Sequence, residues 1–347
     1  MYNSGEENIL GDLFKSVREG YPDFITMLKG DASLRKIYRL KKGDFSCIGV
    51  YGLNLRENAA FIGFTKTFLK LGLPVPELLS VHPSGQYYLL EDLGDTSLFG
   101  SIQSIRENYS GIFLKEKVKD LYNSAVEHLV EFQVKAAGEI DYSLCYQTES
   151  FDHAAWEIDH NYFIECFVSV INPKFESIDA LLNELRYHRF LMEDFPRGYF
   201  LYRDFQSRNI MIKDKRLRFI DYQSGRKGWL SYDIASLLYD ARADLPDKLR
   251  LELRELHSSL ITKMTGISSK QLNEAFAPFA LLRVLQALGS YGNNGIKRGK
   301  REYLEAVPFA LRNAVELIGK DKRLEYMKTL KVLLDKINEE RSWEISD

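Results

Sequence analysis

Asp204, Asn209 and Asp221 are the residues whose types and spacing bear most directly on chemistry. They lie in Tyr202-Arg203-Asp204-Phe205-Gln206-Ser207-Arg208-Asn209 and, twelve residues further on, at the head of Asp221-Tyr222-Gln223. A carboxylate, an amide five positions later and a second carboxylate on the next short apolar segment make the polar set that phosphoryl transfer needs. A hydroxyl held in line with a γ-phosphate must lose its proton, and Asp204 can accept it from a loop. A hard divalent cation takes oxygen ligands in octahedral geometry. Asp221 and the amide carbonyl of Asn209 can supply two of them, with phosphates and water filling the rest.

These side chains need elements to place them. The apolar, aromatic run Gly198 to Tyr202 anchors the base of the loop in the core. Ile210 to Ile212 reads as a short strand, Lys213-Asp214-Lys215 as a polar turn, and Leu217 to Ile220 as a second strand that delivers Asp221 at its end. Such a hairpin carries Asn209 at its entrance and Asp221 at its exit, on one side of one cleft. Asp and Asn also favour plain turns, and a bare D-x-x-x-x-N is common. The apolar hairpin with Asp221 at its exit is what sets this stretch apart.

The segments LYRDFQSRNIMI and RFIDYQSGRKGWLSYDIASLLYDARADL resemble the aminoglycoside phosphotransferase and choline kinase superfamily of small-molecule kinases. Within it they are most similar to the branch of bacterial N-acetylmuramate/N-acetylglucosamine anomeric kinases. That branch has H-R-D-x-x-x-x-N, then I-D-F-Q, then Y-D-[LIV]-[AV]-S-L-L-x-D-A-R. The resemblance implies Asp204 as catalytic base, Asn209 and Asp221 as Mg²⁺ ligands, and Asp233 as a buttress of the catalytic loop. It also implies that Gly30, Asp31, Ala32, Ser33 and Arg35 form a nucleotide loop like G-D-A-S-F-R. Tyr88 to Asp95 resembles the hinge, with backbone groups from Glu91 to Leu93 holding the adenine of ATP. The likeness covers about the first 290 residues, densely at the hinge and catalytic loop. Two departures stand out. Tyr202 occupies the usual histidine position, and the strand Phe45 to Tyr51 has no lysine of the V-A-I-K kind. Arg35 or Lys36 is left to contact phosphate.

Other polar residues each carry two readings. Asp233 suits a helix N-cap as well as a brace of the loop. Arg208, beside Asn209, suits charge stabilisation on the transferred group or a simple ion pair. Asp240 and Arg242 lie on the substrate side by resemblance, and as surface charges they need no special role. Arg283 and Gln286, three apart on one helix face, resemble the helix that lines the acceptor pocket, or form a buried polar pair. The basic run Lys297 to Arg301 reads as a solvated loop. His153 and His160 read as a surface stripe without metal-ligand spacing.

Composition sets the bounds. The chain has 347 residues, 45% apolar and 28% charged, with a net charge of −2, which fits a globular protein and gives no sign of a nucleic-acid surface. Cys47, Cys145 and Cys166 are odd in number and far apart, so a reducing cytosol is expected over a disulfide framework. The polar, acidic start is no signal peptide. No apolar run approaches the about 18 residues of a membrane span. Walker A, H-E-x-x-H and G-x-S-x-G patterns are absent, which argues against P-loop kinases, zincins and α/β-hydrolases.

Along the chain, helical spacing is expected from Asn8 to Val17 and Glu57 to Leu71. Strands are expected at Lys36 to Leu40, Phe45 to Tyr51 and Gln86 to Glu91, the last an edge strand. Past Gly94 the pattern is mainly helical, with periodic segments at 115–135, 156–170, 232–239, 249–264, 270–288, 303–318 and 322–337, and nearly everything after Tyr222 reads as helix. Ser268 and Gln271 form a candidate capping box. The expectation is an α+β, bilobal, protein-kinase-like fold: a small β-rich lobe over 1–94 and a larger, mainly helical lobe over 95–347. The expected activity is ATP- and Mg²⁺-dependent transfer to a small-molecule hydroxyl, foremost a sugar or amino sugar. Its rivals are an aminoglycoside, choline or homoserine kinase and a nucleotide-binding pseudokinase. No nucleic-acid or membrane partner is expected.

Overall fold

The computed structural model describes residues 5–28, 34–109, 111–171, 173, 175, 177–192, 195–341 and 343–344. It opens on helix α1 (Gly5–Phe14) and strands β1 (Phe24–Leu28), β2 (Lys36–Lys42) and β3 (Phe45–Tyr51). Helix α2 (Leu55–Lys70), β4 (Leu78–Val81) and β5 (Tyr87–Glu91) follow. The strands form one antiparallel sheet in the order β1-β2-β3-β5-β4. Alternation along the strands gives the sheet two apolar faces. Leu40, Cys47, Tyr87 and Leu89 pack on Leu10 and Phe14 of α1, whereas Val50, Tyr88 and Leu90 join the main core with Phe61, Phe64 and Phe68 of α2.

Helix α2 begins where Asn54 caps the amides of Arg56 and Glu57, both at 3.2 Å. Its inner face then stacks Phe61 on Tyr222, with ring centroids 4.8 Å apart. The Thr65 and Tyr222 hydroxyls hydrogen-bond at 2.6 Å. The helix is thus the seam between the sheet and the segment that carries Asp221.

The remainder is mostly helical: α3 (Leu98–Asn108), α4 (Gly111–Lys135), α5 (His153–Phe163), a π turn over Ile164–Val168, a short α6 (Ser169–Ile171) and α7 (Ile178–Phe190). Strands β6 (Arg197–Leu201), β7 (Ile210–Lys213), β8 (Arg216–Phe219) and β9 (Arg226–Trp229) come next. Then follow α8 (Leu230–Leu238), α9 (Asp247–Thr265), α10 (Ser269–Tyr291), α11 (Val307–Lys320) and α12 (Lys328–Glu340). The pairs β6–β9 and β7–β8 make two small sheets. Helix α10 packs on α5, α8 and α11 at the centre of this part. Gly292 at its end is required, because a Cβ there would collide with the Cys166 carbonyl of the π turn.

The mixed fold with a sheet-rich start and a helical remainder is as expected. So are β3 over Phe45–Tyr51 and the capping box of Ser268 and Gln271 on α10. Several expectations are corrected. Gln86 to Glu91 is not an edge: β5 lies between β3 and β4. Strands β1 and β4, helices α3 and α7, and β9 after Tyr222 were not anticipated. The segment 322–337 is broken into a 3₁₀ turn (Lys322–Leu324) and α12. There Glu184 of α7 accepts from the amides of Thr329 and Leu330 at 2.7 and 2.8 Å, so a distant side chain caps a new helix start.

Candidate active site

The loop carrying Asp204 is held from beneath by buried acids. Asp233, in the first turn of α8 and 0% exposed, accepts hydrogen bonds from the amides of Tyr202 at 2.7 Å and Arg203 at 2.9 Å. Trp229, not Asp233, occupies the N-cap of α8, so of its two readings the geometry fits the brace. Burial pushes the Asp233 carboxyl up to about 7, against the downward pull of those amides and of Gln133. Arg203 has φ +81°, a left-handed conformation that costs a non-glycine residue about 1 kcal/mol or more. Asp159 of α5 holds its guanidinium in a two-pronged ion pair at 2.7 and 2.6 Å, and Arg203 also donates to the Tyr232 hydroxyl at 2.7 Å. Tyr202 is buried and donates from its hydroxyl to the Ile220 carbonyl at 2.7 Å. The tyrosine therefore links the loop to the residue just before Asp221. Ser207 donates to Asp240 at 2.5 Å, a further tie of the loop to the end of α8.

The structure brings Asp204, Asn209 and Asp221 together. The Asn209 amide donates to the Asp204 carbonyl at 2.9 Å and to the Asp221 carboxylate at 3.2 Å. The hairpin β7–β8 that spans them turns at Asp214 and Lys215, both left-handed with φ +50° and +62°, the backbone of a tight type I′ turn. Asp221 is left-handed too, at φ +69°, and its carboxylate also accepts from Gln223 at 2.9 Å and Arg35 at 3.0 Å. Burial and the Asp221 charge push the Asp204 carboxyl upward, while Arg203, Arg283 and Arg226 hold it down. A carboxylate raised in this way is a better proton acceptor than a free one.

On the sheet side, Arg35 leads into β2 and reaches Asp221. Its Nε lies 3.3 Å from Glu57 of α2 and its Nη2 lies 3.0 Å from Asp221. Lys36 instead pairs with Glu6 at 2.6 Å. Gly30, Asp31, Ala32 and Ser33 lie outside the described residues. The Glu91 amide donates to the Glu77 carbonyl at 2.9 Å. Its carboxylate is bound by Lys213 at 2.8 Å and Arg218 at 2.6 Å, so it clamps β5 to the β7–β8 hairpin. Leu93, next along, is buried.

The expected acceptor-side residues are largely engaged with one another. Arg283, 9% exposed, donates to Ser236 at 2.9 Å and to the Gln286 carbonyl oxygen. Arg242 donates to the Glu302 carbonyl at 2.6 Å. Arg208 lies over the Phe99 ring at 5.0 Å. Arg208, Arg242, Arg283 and Asp240 all act electrostatically on the Tyr291 hydroxyl, so they gather in one region, and Arg283 acts on Asp204 as well. The surface-stripe reading of His160 is overturned: it is buried, 3.3 Å from His188 and against Trp156.

Asp221 and Asn209 fit a divalent cation in donor type, one carboxylate beside one amide. The three N–H groups aimed at Asp221 mark it as a site that draws positive charge. Among the described residues no group of three or more His, Cys, Asp or Glu forms a metal cage, so such a cation would share its shell with phosphate oxygens and water. Sequence reasoning missed Glu57, Asp159 and Ser207. Glu57 had a signal, an acid just ahead of the Ala60-Phe61-Phe64-Phe68 face. Asp159 had a weaker one, three residues past Trp156 on a helix face.

Comparison with known proteins fits this geometry. Residues 142–265 match the phosphotransferase enzyme family. The chain is 23% identical over 321 residues to an N-acetylmuramate/N-acetylglucosamine kinase of Pseudomonas aeruginosa, covering 87% of this chain and 86% of that one. A choline kinase of Cryptosporidium parvum has a similar structure, with TM-score 0.62 and 13% identity over 95% of this chain and 99% of that one. An ADP-bound aminoglycoside phosphotransferase is similar at TM-score 0.59 and 14% identity, over 96% and 99%. The chain is a kinase-like phosphotransferase that carries the domain of the phosphotransferase enzyme family at residues 142–265.

Proposed function

We propose that the protein transfers the γ-phosphate of ATP to a hydroxyl of a sugar or N-acetylated amino sugar, in a cleft between lobes 1–94 and 95–347. The observation that carries this is the convergence of Asp204, Asn209 and Asp221 around one amide, Asn209 Nδ2. Asp204 accepts the acceptor proton. Asp221 and the Asn209 carbonyl oxygen would hold Mg²⁺, which when bound neutralises phosphate charge. Arg35 contacts phosphate, Gly30 to Ser33 are assigned to the nucleotide by resemblance alone, and main-chain groups near Glu91 and Leu93 take the adenine. Arg208 stabilises charge on the transferred group, while Asp240, Arg242, Arg283 and Gln286 line the acceptor side. Alignment of these groups supplies most of the rate, since phosphoryl transfer asks little covalent chemistry of the protein.

The amino-sugar reading draws on the relative that covers most of the chain; likeness to choline kinases bears on fold alone. The test is ADP release from Mg-ATP against N-acetylglucosamine, N-acetylmuramic acid, plain hexoses, choline and aminoglycosides. Turnover on an N-acetylated amino sugar is expected. Turnover on choline or an aminoglycoside alone would overturn the acceptor, and silence across the panel with ATP bound would favour the binding-only alternative.

A further inference from the structure

The strand that would carry a phosphate-binding lysine, β3, has none, yet a cation does reach the cleft. Lys36 is held by Glu6 and Arg39 by Asp92 and Asp95. Arg35 alone of these three basic residues faces the site. Its side chain is 12% exposed and bridges Glu57, 3.3 Å from Nε, and Asp221, 3.0 Å from Nη2. Glu57 lies in the first turn of α2, whose Phe61 stacks on Tyr222, the neighbour of Asp221. The tether and the far end of the bridge therefore belong to two elements packed against each other.

We propose that Arg35, tethered by Glu57, does the work of the missing strand lysine, and that its guanidinium is an exchangeable cation. The guanidinium sits on Asp221; with metal and nucleotide bound it would move to a phosphate while Glu57 keeps hold of Nε. This rests on the reading of Asp221 as a metal ligand. The chemistry follows from the geometry. A divalent cation at Asp221 meets a positive charge already bonded to Oδ1 of the same carboxylate, and like charges at that range repel strongly in a half-buried cleft. Nucleotide phosphates bring the anion that draws the guanidinium off. With Nε on Glu57, the guanidinium still presents Nη donors of the kind that pair with phosphate oxygens, although Arg35 also bonds Tyr88 of β5. Glu57 is then a positioning residue: it keeps Arg35 in the cleft through the exchange and couples α2 to the loaded state.

The proposal makes the two partners act with opposite sign on metal alone. Mn²⁺ binding without nucleotide, read by electron paramagnetic resonance or calorimetry, should tighten about five- to tenfold in Arg35→Gln, which removes the competing cation. It should loosen in Glu57→Gln, where Arg35 loses its other anion and leans harder on Asp221. Mn-ATP binding should weaken in both variants and recover in part in Arg35→Lys. If Arg35→Gln weakens Mn²⁺ and Mn-ATP alike, or leaves both unchanged, the exchange is wrong. If Arg35→Gln fails to fold, Arg35→Lys and Glu57→Gln carry the same test, and equal Mn²⁺ affinity in those two and wild type overturns it. Asp221→Asn separates the levels. Undiminished Mn-ATP binding there would remove the metal assignment itself, whereas loss in Asp221→Asn with no effect at Arg35 would remove only the exchange.

Discussion

The helical part and the sheet hold the candidate site in opposite ways. From the helical side, the Asp204 loop is tied by three carboxylates: Asp233 on two amides, Asp159 on Arg203, and Asp240 on Ser207. From the sheet side, Asp221 itself is met by the near-buried guanidinium of Arg35, while Glu91 and Thr65 hold its flanks, the β7–β8 hairpin and Tyr222. A group that must hold a hydroxyl in line with a phosphate gains from rigid support. A surface that must admit and release a nucleotide does not. The contrast teaches that changes on the helical side should strike stability and turnover, and changes on the sheet side should strike affinity.

The largest break expected in that contrast is Asp159→Ala. It leaves the Arg203 guanidinium without its anion in a buried setting, at a cost of about 3–5 kcal/mol, and it frees a strained loop. A lower denaturation midpoint with lost turnover is the expected result; unchanged stability would mean the loop has other support. Asp221→Ala should keep the fold and weaken Mg-nucleotide binding about 10–100-fold, about 1.4–2.8 kcal/mol. Titration calorimetry measures this, and unchanged affinity would move the metal elsewhere.

Acid should loosen the helical side more than the sheet side. His160 and His257 are buried, and burial pulls each down to about 3. His188 lies well below its ordinary value for the same reason, with His160 adding to the effect. The bond between the two rings needs a neutral His188. His188 Nε2–H donates to the Pro278 carbonyl, so Nδ1 is bare and accepts from His160. His257 donates to the Gln133 carbonyl oxygen at 2.9 Å. A folded-state value below the unfolded 6.5 means that the unfolded chain binds more protons between those limits. The histidine contribution is therefore full above pH 6.5 and falls on acidification toward 3, by about 1.4 kcal/mol per pH unit for each such histidine. Asp233, raised to about 7 by burial, takes up its proton in the folded state and offsets one such step, so three histidines against one carboxyl leave a net loss. Denaturant melts at pH 6.5 and 5.5 check this, and a flat profile would contradict it. The smallest expected effect is Asn54→Ala, which removes the cap of α2 at about 1 kcal/mol and should slightly weaken nucleotide binding through Glu57. Thermal melts and nucleotide titration read both.

Much of the site was legible because its chemistry is local. Asp204, Asn209 and Asp221 sit on one loop and one hairpin, and the apolar strands of that hairpin announce themselves by alternation. What was not legible depends on distance. Strand β9 reads Arg-Lys-Gly-Trp, which no β preference would select. It forms because β6 offers an edge and because Gln147 and Thr148 bind Arg226. Strand β1 exposes Phe24 and Met27, so its apolar residues show no inward alternation. The break before α12 comes from Glu184, more than 140 residues away in sequence. Helix α7 could have been found, since Leu181, Leu185 and His188 share its buried face. The partners of Arg35 were beyond reach, since nothing in the sequence pairs residue 35 with both 57 and 221.

The central claim is that Asp204 serves the proton of the acceptor and not the nucleotide. The most direct measurement is Mg-ATP affinity and acceptor-dependent ADP release on the same preparation of Asp204→Asn, an isosteric change. The account predicts unchanged nucleotide affinity with turnover reduced about 10²–10⁴-fold. Turnover near that of the parent protein, or a parallel loss of nucleotide binding, would contradict it.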